Sequence, residues 1–437
     1  MEQNMFIRIL NSEMELATGC TEPGAVALTA AEAGQALRKA GVDKAEEITV
    51  NASINIIKNA MSAGIPGTDY EGMDYAAAIG ALGGDPVYLL EVMNHVPRET
   101  VEAAAALVKA DKVKVNVAQV PQKLYIEVIA KGGGHTGRAI VRDLHTNVVL
   151  VEQDGVATLD KRDTDTAAAG DSDVVTPEQI ASFLTVRSIW DYCTKELDPM
   201  NDPIDIIRSA VKVNSVISDE GLSKEYGLAI GRNLDLNCRK GLMTRDLTTN
   251  SMIAAAAGAD ARMAGAPVSV VANSGSGNQG ITTSVPVIVY ARELGVSDET
   301  LLRALTLSNL TTIHEKTPIG RLSAYCGAIS AGAGAGAGIA YLCGGDYDAV
   351  IHTVVNALAV VSGVICDGAK ASCAAKIATA VEAGLLGYNM YIRGNQFRAG
   401  DGIVAKGVEN SLKNVGRLGK QGMKETNNEI IAIMVGC

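Results

Sequence analysis

The chain has 437 residues and a formal net charge of −11, and 47% of its residues are apolar although only 4% are aromatic. This length exceeds that of one ordinary hydrophobic core, so we expect two domains. The acidic balance argues against the basic surfaces that bind nucleic acids or anionic membranes, so no nucleic-acid partner is expected.

The predicted elements of the first part alternate between helix and strand. Up to residue 110 we predict two helices, one strand and two more helices, at 4–16, 22–39, 47–57, 70–82 and 98–110. From residue 112 onward the apolar residues alternate with period two, which predicts an antiparallel meander of strands as far as residue 152. Residues 44–160 are therefore predicted to form a small α+β domain.

The second part is almost entirely helical in pattern. Residues 158–173 are acidic and lack periodicity, which is typical of a linker or an exposed loop. Helices are predicted beyond it at 177–195, 203–226, 246–264, 278–293, 298–312, 328–342, 346–364, 374–388 and 422–435. The predicted fold class is thus α+β, with a mostly helical domain from 1–43 and 161–437 joined to the smaller domain at 44–160, which contains an antiparallel sheet.

Small residues are the distinctive feature of the predicted helical core. The chain has 46 glycines, and alanine alternates with glycine at 331–338. We interpret this alternation as a buried helix whose missing side chains let neighbouring backbones approach closely.

Two features bear on the compartment. The first residues lack the charged and apolar regions of a secretory signal peptide, so the eight cysteines are expected to be reduced thiols in the cytoplasm. The most apolar segment, 349–365, contains His352 and Asn356 and has acidic flanks, which indicates a buried helix rather than a membrane span. We therefore expect a cytoplasmic protein without a membrane partner.

Three cysteines in the second part have a setting that suits a metal cluster. Cys366 and Cys373 bracket a polar Asp-Gly turn, and Cys326 lies upstream of a run of small residues. Thiolates are soft ligands for iron–sulfur clusters, and three of them leave one iron of a [4Fe–4S] cubane open. The alternative is that all three are buried apolar thiols. The C-x6-C spacing is not a standard zinc or ferredoxin pattern, so the spacing alone leaves both interpretations open.

A glycine-rich loop follows a predicted strand and precedes a predicted helix. Such a transition leaves backbone N–H groups free to bind a phosphate or a carboxylate at the helix N-terminus. The loop lacks the Lys-Ser/Thr ending of a nucleotide-binding P-loop. Its candidate substrate-binding residues are Asn273, Ser274, Gly275, Ser276, Gly277 and Asn278.

Two other stretches contain candidate residues. Lys58 and Asn59 lie in a polar, glycine-punctuated stretch after a predicted strand, where they either grip a carboxylate or face solvent. Cys20 precedes a predicted helix, whose macrodipole lowers the pKa of a nearby thiol. Histidines such as His145 have no histidine one helical turn away, so we expect no histidine metal site.

Four motifs, taken in order, resemble the L-cysteine desulfidase family. They are Gly-Cys-Thr-Glu-Pro at 19–23, Asn-Ser-Gly-Ser-Gly-Asn-Gln-Gly at 273–280, Tyr-Cys-Gly at 325–327 and Cys-Asp-Gly-Ala-Lys-Ala-Ser-Cys at 366–373. The resemblance covers essentially the whole chain. The family is related to the iron–sulfur serine dehydratases through its helical catalytic domain.

The resemblance implies an enzyme that converts L-cysteine to pyruvate, ammonia and sulfide with a [4Fe–4S] cluster and without pyridoxal phosphate. By motif position, the cluster ligands would be Cys326, Cys366 and Cys373. The serine dehydratases read Cys-Asp-Pro where this chain has Cys366 followed by Asp-Gly, which favours cysteine over serine as substrate. A pyridoxal-phosphate lyase with Lys370 as its Schiff base is a further alternative that would give the same products.

The remaining expectations concern proton transfer and assembly. Elimination needs a base for the Cα proton, and Cys20 meets the requirement if its helix lowers the thiol pKa. Glu22 opposes this if its carboxylate points at the sulfur. Cys437, the last residue, is hypothesised to act as a labile fourth ligand that the substrate displaces. We expect a homo-oligomer, with a dimer as its simplest form.

Overall fold

The computed structural model describes residues 4–163 and 175–435, and it confirms the predicted α+β fold class. Cys437 and most of the predicted linker at 158–173 lie outside these residues. Within the described ranges, no helix is both long enough and apolar enough to cross a membrane.

Strands form two sheets in the described part of the chain. A six-stranded sheet has the order β3-β2-β4-β5-β6-β7, and a two-stranded sheet pairs β1 with β8. The strands are β1 (Met14–Thr18), β2 (Glu47–Ala52), β3 (Val113–Val117), β4 (Tyr125–Gly132), β5 (His135–Arg142), β6 (Val148–Gln153), β7 (Val156–Asp160) and β8 (Ser269–Asn273).

Helices make up most of the remaining structure. They are α1 (Met5–Glu13), α2 (Thr21–Lys39), α3 (Ile54–Ala60), α4 (Met73–Gly83), α5 (Arg98–Lys109), α6 (Pro177–Phe183), α7 (Val186–Asp191), α8 (Asp205–Ser223), α9 (Ile230–Arg239), α10 (Leu247–Met263), α11 (Gly277–Leu294), α12 (Asp298–Lys316), α13 (Gly327–Leu342), α14 (Tyr347–Val361), α15 (Cys373–Tyr391), α16 (Val408–Arg417) and α17 (Lys424–Val435). A 3-10 turn at Pro86–Glu91 and π turns at Tyr192–Glu196 and Leu418–Gly422 complete the helical elements.

The six-stranded sheet packs on α2 through small residues. The alternating residues Ile126 and Val128 of β4 are buried beneath this helix. A Cβ atom at Gly137 of β5 would lie 2.0 Å from the carbonyl oxygen of Ala33, so the helix backbone rests directly on the strand. The helix thus contributes to the core of this sheet although it precedes residue 44, and the division into domains stays a prediction.

The predicted meander is wrong at its first strand. β3 lies at the sheet edge and pairs in parallel with β2, which separates it from β4. A parallel pair needs a long crossover connection. Helices α3, α4 and α5 supply that connection between β2 and β3.

Two predicted element boundaries are also wrong. The strand predicted at 47–57 ends at Ala52, and α3 follows it, because Ile56 and Ala60 are buried on one face of a helical turn. This tertiary burial overrides the β-branched composition of the segment. The helix predicted at 4–16 ends at Glu13, because the next residues form β1 and pair with β8.

The alanine–glycine segment forms the buried helix that its composition predicts. A Cβ atom at Gly332 of α13 would lie 2.2 Å from the carbonyl oxygen of Ala380 in α15. On another face of the helix, a Cβ atom at Gly334 would lie 2.1 Å from Thr312 Oγ1 of α12. The same Cβ atom would lie 2.7 Å from the carbonyl oxygen of Ser308, so α13 approaches the backbones of both neighbours as closely as only glycine permits.

Candidate functional site

The four sequence motifs meet at one cavity of about 90 Å³. It lies between the N-terminus of α2, the loop from β8 to α11, the segment before α13 and the turn before α15. Eight of the candidate residues line it: Cys20, Asn59, Gly275, Ser276, Asn278, Cys326, Cys366 and Cys373. The other described candidates do not line the cavity: Lys58, Asn273, Ser274 and Gly277. Cys437 lies outside the described residues.

Backbone pairing brings two of the cysteines together. The segments around Tyr325 and Ile365 form an antiparallel bridge, in which Cys366 N donates a hydrogen bond to Ala324 O at 2.7 Å. Cys326 N donates in turn to Val364 O at 3.2 Å. These contacts place Cys326 beside Cys366 although forty residues separate them in the chain.

The third cysteine is held by the turn that leads into α15. Cys373 N donates to Lys370 O at 2.9 Å, and its thiol lies 3.6 Å from Gly368 O. Gly368 has a φ of +99°, and a Cβ atom there would lie 2.4 Å from the carbonyl oxygen of Lys58. The turn therefore requires glycine both for its backbone conformation and for its close contact with α3.

The chemistry of this donor set fits an iron–sulfur cluster. Burial and the neighbouring Cys366 raise the pKa of Cys326 to about 12, and burial raises the pKa of Cys373. Three neighbouring thiolates thus need a cation to compensate their charge, which bound metal provides. Among the described residues no three His, Cys, Asp or Glu side chains converge as ligands of a single ion. Ligands of a cubane bind separate irons, so they need not converge on a single point.

Cys20 and Glu22 form a buried hydrogen-bonded pair at the edge of the cavity. Cys20 stands directly before α2, and its Sγ donates to Glu22 Oε2 at 3.0 Å. Burial, followed by the charge of Glu22, raises the pKa of the Cys20 thiol well above its ordinary value. The expectation that the helix terminus lowers this pKa is therefore wrong. Desolvation and a facing carboxylate outweigh the macrodipole.

Glu22 is the ionised member of the pair. Its Oε1 accepts a hydrogen bond from Asn59 Nδ2 at 2.9 Å, and His145 Nε2 lies 3.9 Å from the same oxygen. Burial raises the pKa of Glu22, but the opposing effects of His145, Cys20 and Asn59 prevail and hold it well below its usual range. His145 is thus beside the site, although no sequence motif pointed to it. It reaches Glu22 from the turn between β5 and β6, which only the fold brings close.

The glycine-rich loop turns sharply and is tied to its surroundings. Ser274 and Gly275 both have positive φ, at +49° and +78°. Ser274 N donates to Glu13 O at 2.8 Å, and Ser276 N donates to Asn273 O at 3.0 Å. Thr21 Oγ1 donates to Gly275 O at 3.0 Å, which fixes the start of α2 against the loop.

Several hydrogen-bond donors of the loop are engaged within the protein. The amides of Ser274, Ser276 and Gln279 already donate within the protein, the last to Ser276 Oγ at 3.4 Å. These three amides are therefore not free to bind an anion, and the substrate-binding role of the loop as a whole stays a prediction. The side chain of Asn273 is engaged as well, because its Nδ2 donates to Asn309 Oδ1 at 2.9 Å.

Lys58 does not line the cavity. Its Nζ donates to Asn427 Oδ1 at 3.0 Å and to the carbonyl oxygen of Cys366 at 3.3 Å. It thereby ties α3 to α17 and to the turn that carries Cys366. The sequence left Lys58 either to grip a carboxylate or to face solvent, and in the structure it is buried and makes these contacts instead.

Three basic residues that no sequence motif marks line the cavity: Arg262, Lys316 and Arg321. Arg262 belongs to the last turn of α10 and is 2% exposed. Lys316 ends α12, and burial lowers its pKa to about 8. The local signal of Arg262 and Lys316 is a basic residue in the last turn of a helix.

Comparison with known proteins identifies the family of the chain. Residues 88–432 match the model of the serine dehydratase alpha chain family. A UPF0597 protein of Oleidesulfovibrio alaskensis is 43% identical over 99% of this chain and 98% of its own length. A UPF0597 protein of Desulfitobacterium hafniense is 42% identical over 98% of this chain and 96% of its own length, and one of Bacteroides fragilis is 38% identical over 100% and 99%. The chain therefore belongs to the serine dehydratase alpha chain family, a family of dehydratase-type lyases.

Proposed function

We propose that this lyase is an L-cysteine desulfidase, which eliminates sulfide from L-cysteine and releases pyruvate and ammonia. The observation that supports it most is the presence of Cys326, Cys366 and Cys373 on one cavity together with the Cys20–Glu22 pair. The family supports a β-elimination, while the names of the relatives specify no substrate. The choice of cysteine rests on the desulfidase-like motifs, above all the Asp-Gly that follows Cys366.

The three cysteines of the cavity would hold a [4Fe–4S] cluster. When bound, the cluster supplies an open iron, a Lewis acid that suits the soft sulfur leaving group of cysteine. Cys437 is proposed as a labile ligand at that open position. Each of the three cysteines is positioned by backbone contacts that do not depend on metal, so the site is organised by the fold itself.

Proton abstraction is assigned to the Cys20–Glu22 pair acting together. The pair carries one proton and one negative charge, and a coupled pair titrates as a unit. As Cys20 Sγ accepts the Cα proton of the substrate, its own proton passes to Glu22 Oε2 along the 3.0 Å hydrogen bond. No free thiolate has to form in the buried site, which removes the difficulty raised by the high thiol pKa.

The remaining chemistry follows from loss of the leaving group. The electrons of the broken Cα–H bond form the new double bond as sulfide departs from Cβ. The aminoacrylate produced hydrolyses in water to pyruvate and ammonia. An ordinary general base contributes roughly 10²- to 10⁴-fold, so positioning and the metal must supply the rest of the acceleration.

The two alternatives make different predictions. A serine dehydratase would use the same residues with hydroxide as leaving group, and only the substrate comparison separates it from a desulfidase. A pyridoxal-phosphate lyase would need its Schiff-base lysine in the cavity. Lys370 does not line the cavity.

Anaerobic purification followed by iron, sulfide and pyruvate measurements tests the proposal. We expect about four irons per chain, pyruvate from L-cysteine at a higher kcat/KM than from L-serine, and loss of activity on iron chelation. Cys326→Ala, Cys366→Ala and Cys373→Ala should each lose most of the iron. Cys343→Ala is the matched control, because Cys343 is exposed and lies outside the cavity. Full iron and activity in any of the three ligand variants would remove that cysteine from the ligand set.

Two properties of the working enzyme belong to the same proposal. A cluster with an open iron and reduced cysteines requires a reducing compartment, so we propose that the enzyme works in the cytoplasm. We also propose a homodimer as its assembly, which sedimentation velocity under anaerobic conditions would test.

A further inference from the structure

The cavity contains a buried cation without a counter-anion. Arg262 is 2% exposed, and its Nε and one terminal nitrogen make no hydrogen bond to any residue that the structure describes. Within residues 4–163 and 175–435 its guanidinium forms no salt bridge. A buried charge without a partner is costly, and buried charges are generally paired. The arrangement therefore indicates an anion that is not part of the chain.

A second arginine on the same cavity provides the contrast. Arg321 forms a salt bridge with Glu13, with 2.7 Å between its terminal nitrogen and Glu13 Oε1. This arginine is thus satisfied within the protein. Because Arg321 is paired and Arg262 is not, Arg262 is the arginine of this cavity that is available to bind an anionic ligand.

Glycine makes room for the Arg262 side chain. A Cβ atom at Gly277 would lie 2.3 Å from Arg262 Nε, and one of its other close neighbours would be Arg262 Cζ at 2.8 Å. Gly277 was selected from the sequence as a substrate-binding residue. In the structure it serves the site by letting the guanidinium lie against the start of α11.

Unpartnered acceptors line the same cavity. Asn59 Oδ1, Asn278 Oδ1 and Gln279 Oε1 are buried and make no hydrogen bond. The orientation of Asn59 is fixed, because its Nδ2 donates to the carboxylate of Glu22. A guanidinium with free donors and several free amide oxygens complement a ligand that carries a carboxylate and an ammonium group.

We propose that Arg262 binds the α-carboxylate of the substrate, and that Asn59, Asn278 and Gln279 accept hydrogen bonds from its ammonium group. This inference rests on the proposed function and assigns to Arg262 the role first considered for Lys58. Arginine suits it because its planar fork binds carboxylates through two parallel hydrogen bonds. The ligand class is a small α-amino acid.

The alternative role for Arg262 is to balance the charge of the cluster ligands. Its charge also favours the thiolate forms of Cys20 and Cys373, so it lies within electrostatic range of both. A charge-balancing role would affect iron retention and the cluster spectrum. A carboxylate-binding role would affect ligand selectivity with the cluster intact.

Calorimetric binding of L-alanine and L-alaninamide to the anaerobic holoenzyme tests the proposal. L-Alanine lacks a leaving group and cannot be eliminated, and L-alaninamide differs from it by lacking the carboxylate. Wild type should bind L-alanine more tightly than the amide. Arg262→Gln should weaken L-alanine binding by roughly 10- to 100-fold, the range for losing a hydrogen-bonded charge pair, and should leave the amide nearly unchanged. The affinity of Arg262→Lys for L-alanine should lie between those of wild type and Arg262→Gln, because lysine keeps the positive charge but lacks the planar guanidinium.

Arg321→Gln is the matched control and should keep the preference for L-alanine over its amide. Folding is monitored by melting temperature. Without ligand, the melting temperature of Arg262→Gln should equal or exceed that of wild type, because the substitution removes a buried unpaired charge. Added L-alanine should raise the melting temperature of wild type but not that of Arg262→Gln. Unchanged discrimination in Arg262→Gln would overturn the proposal, and so would lost iron with discrimination intact. Because L-alanine is not turned over, these results stand apart from whether L-cysteine is the physiological substrate.

Discussion

Replacing Gly332 by alanine tests the link between helix packing and the site. A Cβ atom at this position of α13 would lie 2.2 Å from Ala380 O, and ordinary contact begins at 3.4 Å. The difference, 3.4 − 2.2 = 1.2 Å, is the approximate separation that α13 and α15 must undergo. The clashing atom belongs to the backbone, so no side-chain rotation relieves it.

The expected cost follows from that separation. A gap of about 1 Å forfeits a quarter to a half of the dispersion energy of each contact along it. Overpacking of a core costs roughly 1–3 kcal/mol, and we expect the upper end because the contact is backbone to backbone. The higher helix propensity of alanine returns about 1 kcal/mol. The net loss should be about 2 kcal/mol.

Moving α13 and α15 apart should also displace the cysteines at their N-termini. Cys326 directly precedes α13, and Cys373 is the first residue of α15. Metal–ligand distances tolerate only about 0.2 Å of error, so moving the two helices apart by more than this should weaken cluster binding. Gly332→Ala is therefore expected to lose iron although residue 332 does not line the cavity.

Thermal unfolding and iron analysis measure both effects. Gly332→Ala should melt about 2–6 °C below wild type and retain less iron. Gly24→Ala is the control, because a Cβ atom there meets its nearest neighbour, Leu90 O, at an ordinary 3.4 Å. It should melt at or slightly above wild type. If Gly332→Ala matched Gly24→Ala in melting temperature and iron, the close approach of α13 and α15 would not be what holds the site together.

Three further predictions concern protons and the terminal cysteine. Cys20→Ala and Glu22→Gln should keep normal iron but lose pyruvate formation and solvent deuterium exchange at Cα; retained exchange would assign the base elsewhere, and lost iron would make Cys20 a ligand. Burial raises the pKa of Asp260 to about 6 from 3.8, so the folded state binds this proton more tightly and loses stability as pH rises between these values. Asp260→Asn should therefore gain more melting temperature over wild type at pH 7 than at pH 5, and an equal gain at both would contradict this. Deletion of Cys437 should shorten any lag in turnover or alter the resting cluster spectrum, and no change in either would retire its role as a labile ligand.

Local pattern was sufficient for much of the architecture. The alanine–glycine alternation at 331–338 predicted a buried helix in backbone contact with its neighbours, and α13 has that environment. The change from period 3.6 to period two near residue 112 predicted strands, and β4 to β6 are there. These features follow from side-chain spacing along a few turns or residues, which the sequence shows directly. The four motifs likewise supplied seven of the eight candidate residues that line the cavity, and Asn59 came from another stretch.

Tertiary structure decided the pairings and the electrostatics. The position of β3 beside β2 depends on a crossover of three helices, and α3 is a helix because of what buries Ile56. The thiol pKa of Cys20 depends on desolvation and on the direction of the Glu22 carboxylate, neither of which a sequence specifies. Arg262 could be recognised only once its neighbours were known, because an unpaired buried charge is a property of everything packed around it.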